Sequence, residues 1–511
     1  MNDTMKKIPE KYIHTALIIG TVIFALGIVI TNFTGRQWYN FDMYSDLLVA
    51  RFMSESKSIF PKNWIFGNQY YVIATPVLSA LIYSLIGNSF YSMAAASSIY
   101  YIAILAVLYW GLKPFTCKKS LLTAIFCMSG AIIIGESASS DIYGMQVLYT
   151  MASYYACYLF VMILTLCVAA RIYKGIKVNG LLYTICFLLS FALGMQSLRE
   201  MLILYIPLLI LSGIFFFIYK ENVCVKKTFL FAILTFVFNM AGYFVMKAAD
   251  IGSVEITSGV SLTLNLDEIF QNIKDNAKNI AEISGMRFLG RGIKWMPLSI
   301  VSFVNWISVI TAVTLVVARK DYKKGLGIIF CTLSILCVFG VGVFLFKTRA
   351  IYYFTWFLLV TFSYAYMAET HSTGNYEVTA LLVCGCLVFF YNFYPDICKY
   401  RELHEFYAEI CEDLKADGIE TVYTDIETQP TIGAFSDDII CGTVACDFNL
   451  ESGHYMIPIA TLKPKSLFIH IYPEKSRLML SSGIYGSDSS MDYVNWGEMN
   501  IEKLFFGKFV L

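Results

Sequence analysis

A chain of 511 residues that is 58% hydrophobic and 15% charged, with a mean hydropathy of +0.63, is too apolar for a soluble globule of this size. Lipid must cover much of its surface. The formal net charge of +1, without a long basic run, points to neither a nucleic acid nor an acidic partner.

In chain order, Lys6, Lys7 and Lys11 precede an apolar stretch over 14–32, about the length that crosses a hydrocarbon core. No small-residue cleavage site follows it, so it reads as an uncleaved first helix. Further apolar stretches lie at 70–87, 89–112, 120–135, 143–170, 180–197, 201–219, 228–247, 297–318, 325–346, 350–367 and 377–393, twelve in all. Four basic clusters separate them: Lys113, Lys118 and Lys119; Arg171, Lys174 and Lys177; Lys220, Lys226 and Lys227; Arg319, Lys320, Lys323 and Lys324.

Short cytoplasmic loops collect Lys and Arg. If all twelve stretches cross, these clusters fall opposite the basic N-terminus, against that bias. The stretch 70–87 is the one expected not to cross. It is interrupted at Thr75-Pro76 and follows a segment, 46–60, read as amphipathic and lying along the membrane surface. The expected fold is therefore an all-α polytopic domain over 1–395, with about eleven crossing helices plus external juxtamembrane helices. It sits in the cell membrane as a multi-pass protein with a cytoplasmic N-terminus. External loops fall at about 34–89, 136–142 and 250–296. The loop 369–377 is cytoplasmic by this count, although it contains no Lys or Arg.

After Pro395 the hydropathy falls, and 396–511 reads as a small extracytoplasmic α/β domain. An amphipathic helix is expected over 400–415, then strands at 421–424, 438–444 and 466–472. Its surface either helps to hold an acceptor or caps the membrane domain. Of fourteen cysteines, ten lie in or beside apolar segments as small hydrophobes. The others, Cys398, Cys411, Cys441 and Cys446, leave both a disulfide and free thiols open.

No glycine-rich phosphate loop occurs in the short inner linkers, so chemistry is expected on the outer side. An activated substrate there must arrive attached to lipid. Asp42 and Asp46, four residues apart, share a helical face. A carboxylate at that place either caps the helix or acts as general base on an acceptor hydroxyl. Glu136 and Asp141 occupy the next external loop, where Asp141 also suits an N-cap. Lys347 and Arg349, beside Tyr352 and Tyr353, lie on the outer side against the charge bias. They either snorkel or clamp a lipid phosphate. Arg199 joins that clamp or pairs with Glu200, and the local ion pair is the simpler expectation.

The order of these features resembles the lipid-linked glycosyltransferases of the C-type fold, in the protein-mannosyltransferase and aminoarabinose-transferase-like group. The resemblance rests on Asp42 after the first helix, Arg51-Phe-Met53, Pro61, Trp64, Thr75-Pro76-Val-Leu-Ser-Ala-Leu and Gly87, and covers roughly 14–360. The chain departs from that pattern at Met43, where an acid is common, and at Ala74-Thr75-Pro76, where Lys-Pro-Pro is usual.

The resemblance implies a transferase that inverts the sugar carried by a polyprenyl phosphate, with Asp42 as base, Asp46, Asp141 and Glu136 in support, and Lys347, Arg349, Tyr352 and Arg199 on the donor phosphate. The acceptor would be a cell-envelope glycan, lipid or protein. No cofactor is required, and the acidic loops leave room for a divalent metal without demanding one. The segment 266–283 is the expected lid. The rival classes are a transporter or flippase and a non-catalytic lipid-binding member of the fold.

Overall fold

The computed structural model describes residues 9–35, 41–61, 64, 66, 70–134, 144–150, 155–249, 262–286, 296–345, 348–370, 374–393, 397–416, 418, 421–424, 428–436, 439–443, 466–472, 477–479, 490–496 and 499–506. Among them, helices dominate. In order they are α1 (Glu10–Thr34), α2 (Phe41–Ser56), α3 (Thr75–Ile86), α4 (Ser89–Leu112), α5 (Lys118–Phe126), α6 (Met145–Leu148), α7 (Tyr155–Tyr173), α8 (Gly180–Gln196) and α9 (Ile206–Ile218). Then come α10 (Val223–Ala249), α11 (Leu266–Ile283), α12 (Met296–Ala318), α13 (Leu326–Phe344), α14 (Thr355–Thr370) and α15 (Gly374–Phe393).

Eight helical segments among the described residues are long and apolar enough to cross a membrane: Glu10–Thr34, Ser89–Leu112, Tyr155–Tyr173, Met201–Ile218, Val223–Ala249, Met296–Ala318, Leu326–Phe344 and Ala350–Thr370. Their lipid-facing sides carry exposed apolar residues such as Leu26, Phe217, Phe244 and Phe303. Water could not tolerate such a surface, whereas hydrocarbon requires it. The chain is a multi-pass membrane protein.

The stretch 120–135 departs from a simple helix. α5 gives way to a wide π turn, Cys127–Ala131, which ends where Gly130 takes φ 117°, a conformation that only glycine adopts cheaply. Breaking a helix inside a membrane frees carbonyls that need new donors. Tyr101 donates to the Ser129 carbonyl at 3.1 Å and Asn305 donates to the Ile132 carbonyl at 3.4 Å. The stretch 143–170 is also divided, because α6 is a separate single turn before α7.

The expectation for 46–60 is corrected. α2 has buried side chains at every position from Met43 to Arg51, so no face of that stretch remains to lie on a membrane surface, and beyond it exposure begins only toward the helix end at Glu55 and Ser56. It is a packed helix, set against α3 and α4 through Leu47, Leu48, Met53, Met93 and Ala94. The interruption at Thr75-Pro76 is the start of α3, with proline in the first turn where its missing N–H does no harm.

Beyond α15 follow α16 (Ile397–Ala416) and α17 (Thr428–Phe435), and α17 packs on α2. Cys411 is a free, buried thiol on α16. Short strands β1 (Thr421–Thr424), β2 (Ile440–Thr443) and β3 (Ser466–Tyr472) pair in parallel, with β1 between the others. β4 (Arg477–Met479) and β6 (Met499–Phe506) run antiparallel to β3, and β5 (Ser490–Trp496) pairs with β6.

A close helix crossing joins α8 to α10, and glycine makes it. A Cβ added at Gly194 would sit 1.8 Å from the Asn239 carbonyl oxygen, and one at Gly242 would sit 2.0 Å from that of Phe191. Small residues let backbones approach in this way, and a methyl group must push them apart. Gly194→Ala and Gly242→Ala are each expected to destabilise the detergent-solubilised protein by about 1–3 kcal/mol in thermal unfolding. Gly340→Ala, where an added Cβ meets nothing within 4 Å, is expected to be neutral or slightly stabilising.

Candidate functional site

α7 fixes two ends of the helix bundle. Its first turn carries Tyr158, and its last residue, Tyr173, lines a cleft with Lys174, Lys323 and Lys324. Fifteen residues of helix separate the two tyrosines, roughly 22 Å. The structure thus gathers basic residues of the 171–177 and 319–324 clusters at one end of the bundle. Glu369, at the edge of the loop that lacks basic residues, lines that same cleft.

At the other end, α8 stops at Gln196, and its buried amide organises what surrounds it. The Gln196 side-chain oxygen accepts from the N–H groups of Val72 and Ile73, at 3.2 and 3.3 Å. Its main-chain oxygen accepts from Tyr70 N–H at 3.1 Å. The Tyr100 hydroxyl donates to the Ile73 carbonyl. These bonds pin the strip 70–73 between α8 and the start of α3. Tyr71 in that strip packs against the α2 cluster, so α2 and the end of α8 are mechanically joined.

Next to Gln196, the Tyr158 hydroxyl is 2.8 Å from Ser197 Oγ, and Arg199 N–H donates to that Oγ at 3.3 Å. The guanidinium of Arg199 lies over the Tyr352 ring, 5.3 Å from its centroid. A planar cation on an aromatic face is held there by the ring's quadrupole. Tyr352 belongs to the 3-10 turn Ala350–Tyr353, and exposed Arg349 is its N-cap residue. Arg199 and Arg349 therefore converge on one turn.

That turn is held by α11. Asn276 accepts from the Thr348 hydroxyl at 2.6 Å and also from the Tyr353 hydroxyl. Asn279 donates to the Thr348 carbonyl at 2.8 Å, and Asn272 donates to the Val343 carbonyl at 3.1 Å. The absence of a Cβ at Gly342 makes room for Asn276, whose Oδ1 would lie 2.4 Å from an added methyl group. The expected lid helix is thus a docked brace. Asparagines at 272, 276 and 279, on the face shared with Ile280 and Ile283, are the signal that identifies it.

Of the sequence-predicted acids, Asp42 is exposed in the first turn of α2, and Asp46, one turn on, is buried. Buried Arg51 on the same helix lies 3.7 Å from Glu55. Glu136, Asp141 and Lys347 lie outside the described residues. Among the described residues no group of three or more His, Cys, Asp or Glu gathers as a metal site would.

Glu200 corrects the expected local ion pair. It is fully buried, and neither carboxylate oxygen has a hydrogen-bond partner, while Arg199 turns to Tyr352 instead. Glu200 precedes the apolar segment Met201–Ile218, which opens with a π turn over Met201–Tyr205. Burial raises its carboxyl well above the ordinary value of 4.5.

Compared with protein-family models, with curated proteins and with solved structures, the chain matches none of them. The reading of this end of the bundle rests on its own geometry.

The sign of the Glu200 effect is fixed by linkage. Above pH 4.5 the unfolded acid ionises while the buried one keeps its proton, so stability falls as pH rises until the raised folded value is passed. Glu200→Gln removes that loss. Its melting temperature is expected to exceed that of the wild type near neutral pH, with the gap closing toward about pH 4. A gap of equal size at both pH values would contradict a neutral Glu200.

Proposed function

We propose that this chain is a membrane glycosyltransferase that moves a sugar from a polyprenyl-phosphate carrier to an acceptor on the outer face of the membrane, with inversion. The observation that carries the reading is the placement of two arginines at one turn, the Arg199 guanidinium over the Tyr352 ring and Arg349 as the exposed N-cap residue of that turn. The 70–73 strip joins that end of the bundle to α2, which bears Asp42 and Asp46. Two planar cations on a rigid, aromatic-backed turn suit a lipid phosphate. The order of Asp42, Arg51-Phe-Met53, Pro61, Trp64 and Thr75-Pro76 supports it through its resemblance to the C-type fold.

The basic end faces the cytoplasm in this reading, by the charge bias of short loops. About eleven segments cross: the eight long ones together with 118–131, Gly180–Gln196 and Tyr376–Phe390, while α3 stays at the surface. Residues 396–511 then form an extracytoplasmic α/β domain.

Asp42, exposed, takes the proton from the acceptor hydroxyl. The oxygen attacks the anomeric carbon, the bond from that carbon to the phosphate oxygen breaks, and polyprenyl phosphate leaves with the electron pair. Arg349 and Arg199 neutralise the charge that develops on it, with Lys347 as the third cation. Asp46, being buried, positions α2 and does not meet the acceptor; Asp141 and Glu136 orient the acceptor from the following loop. If a divalent metal takes part, the acidic loops are its place.

A transporter is the second reading, and Glu200 favours it, because an unpartnered carboxyl buried among apolar helices is characteristic of ion-coupled transport. Transfer from a polyprenyl-phosphate hexose by purified protein distinguishes the two. Asp42→Asn is expected to lower turnover about 10²–10⁴-fold with donor affinity retained, and Arg349→Ala to weaken donor binding. Wild-type turnover in Asp42→Asn would overturn the assignment. Movement of the lipid-linked sugar across vesicles without formation of a glycosidic bond would favour the transporter.

A further inference from the structure

The cleft at the basic end is not used by the proposed chemistry. Its empty volume is about 1330 Å³, which includes its open mouth, and its walls come from α4, α5, α7, α9, α10, α13 and α14. Leu112, Leu166, Leu208, Phe215, Phe330 and Phe362 supply much of the wall. The serine and threonine hydroxyls among the lining residues are directed at main-chain carbonyls, while the Tyr366 hydroxyl is buried without a hydrogen-bond partner. Thr116 donates to Leu112 at 3.1 Å, Ser120 to Ala365 at 2.8 Å, Ser212 to Leu208 at 2.6 Å and Thr228 to Cys224 at 2.9 Å. Apart from the hydroxyls of Tyr173 and Tyr366, the walls offer hydrocarbon to hydrocarbon, and a largely polar guest would lose more hydration than they return.

The mouth is different. Lys174, Lys323 and Lys324 line it and are exposed. Lys324 lies 3.9 Å from Asp321, and the Lys323 ammonium lies 5.6 Å from the Tyr219 ring centroid. Glu369 is the acid among the lining residues. Three ammonium groups against these two carboxylates leave the mouth cationic. A ligand that satisfies both halves has a long apolar chain and an anionic head.

We propose that this cleft is a binding site for an anionic glycerophospholipid of the bilayer, with an acyl chain in the apolar trough and its phosphate at Lys174, Lys323 and Lys324. The site lies at the opposite end of α7 from the Arg199–Tyr352 pair, so it is separate from the proposed donor site. It holds whether or not the chain is a transferase. The bound lipid fastens α4, α5, α7, α9, α10, α13 and α14 together at an end where the loops between helices are short.

The test uses the delipidated full-length protein and native mass spectrometry, with phosphatidylglycerol, phosphatidylcholine and inorganic phosphate as probes. Phosphatidylglycerol is expected to bind at least about tenfold more tightly than phosphatidylcholine, about 1.4 kcal/mol. Inorganic phosphate is expected not to displace it. Lys174→Ala, Lys323→Ala and Lys324→Ala combined are expected to erase the preference for the anionic lipid while leaving weak binding of both lipids. Ala170→Trp, at a lining residue, fills the trough and is expected to remove binding of both lipids from this site. Because Ala170→Trp leaves the lysines intact, it keeps the test decisive if the triple variant fails to fold. Equal affinity for the two lipids, displacement by inorganic phosphate, or unchanged binding in Ala170→Trp would each overturn the proposal.

Discussion

Hydrocarbon cannot hydrogen-bond a peptide group, and this constraint shapes nearly everything in the chain. Where the helices are unbroken they satisfy themselves. Where backbone departs from helix, as at Gly130 and along 70–73, a buried side chain supplies the missing partner: Tyr101 and Asn305 in the first case, Gln196 and Tyr100 in the second. Irregular backbone at such places is stable only because these amides and hydroxyls are positioned by neighbouring helices. Each is therefore a fastener between elements distant in sequence, and the proposed site is built from them.

The same solvent drives charge to helix ends and so gives the bundle two chemically different ends. One gathers Lys174, Lys323 and Lys324 around an apolar trough. The other gathers Arg199, Arg349 and Tyr352 beside the pinned strip that leads to α2. Lysines at exposed mouths attract anions loosely, whereas a guanidinium stacked on a ring and braced by α11 is preorganised. Glu200 is the exception to this sorting. Its carboxyl is fully buried, which raises its pKa well above 4.5, and it lies next to a π turn of the kind that often accompanies function.

Much of the helical framework was legible in the sequence because apolar length and glycine or proline punctuation are local signals. Thr75-Pro76 marks the start of α3, and Leu266–Ile283 is a helix within the limits its periodicity gave. Burial of α2 was not legible. Its charged residues Asp42, Asp46 and Arg51 mimic a surface helix, and only packing by α3, α4 and α17 encloses it. The local pairing of Arg199 with Glu200 was the nearest solution in sequence, but Tyr352 offers Arg199 a partner that lies 153 positions away in the numbering. The brace role of Asn272, Asn276 and Asn279 was written in their helical spacing, although spacing alone does not name Thr348 and Tyr353 as the partners.

The central claim is that these two ends face opposite sides of the membrane, with the arginine-bearing end outside. It is tested most directly by labelling whole cells with a membrane-impermeant maleimide after adding one cysteine at a time, against the wild-type background. Glu268→Cys, exposed on α11, is predicted to label in intact cells, and Lys177→Cys, exposed after α7, only after permeabilisation. Labelling of both in intact cells, or of Lys177→Cys alone, would contradict the account.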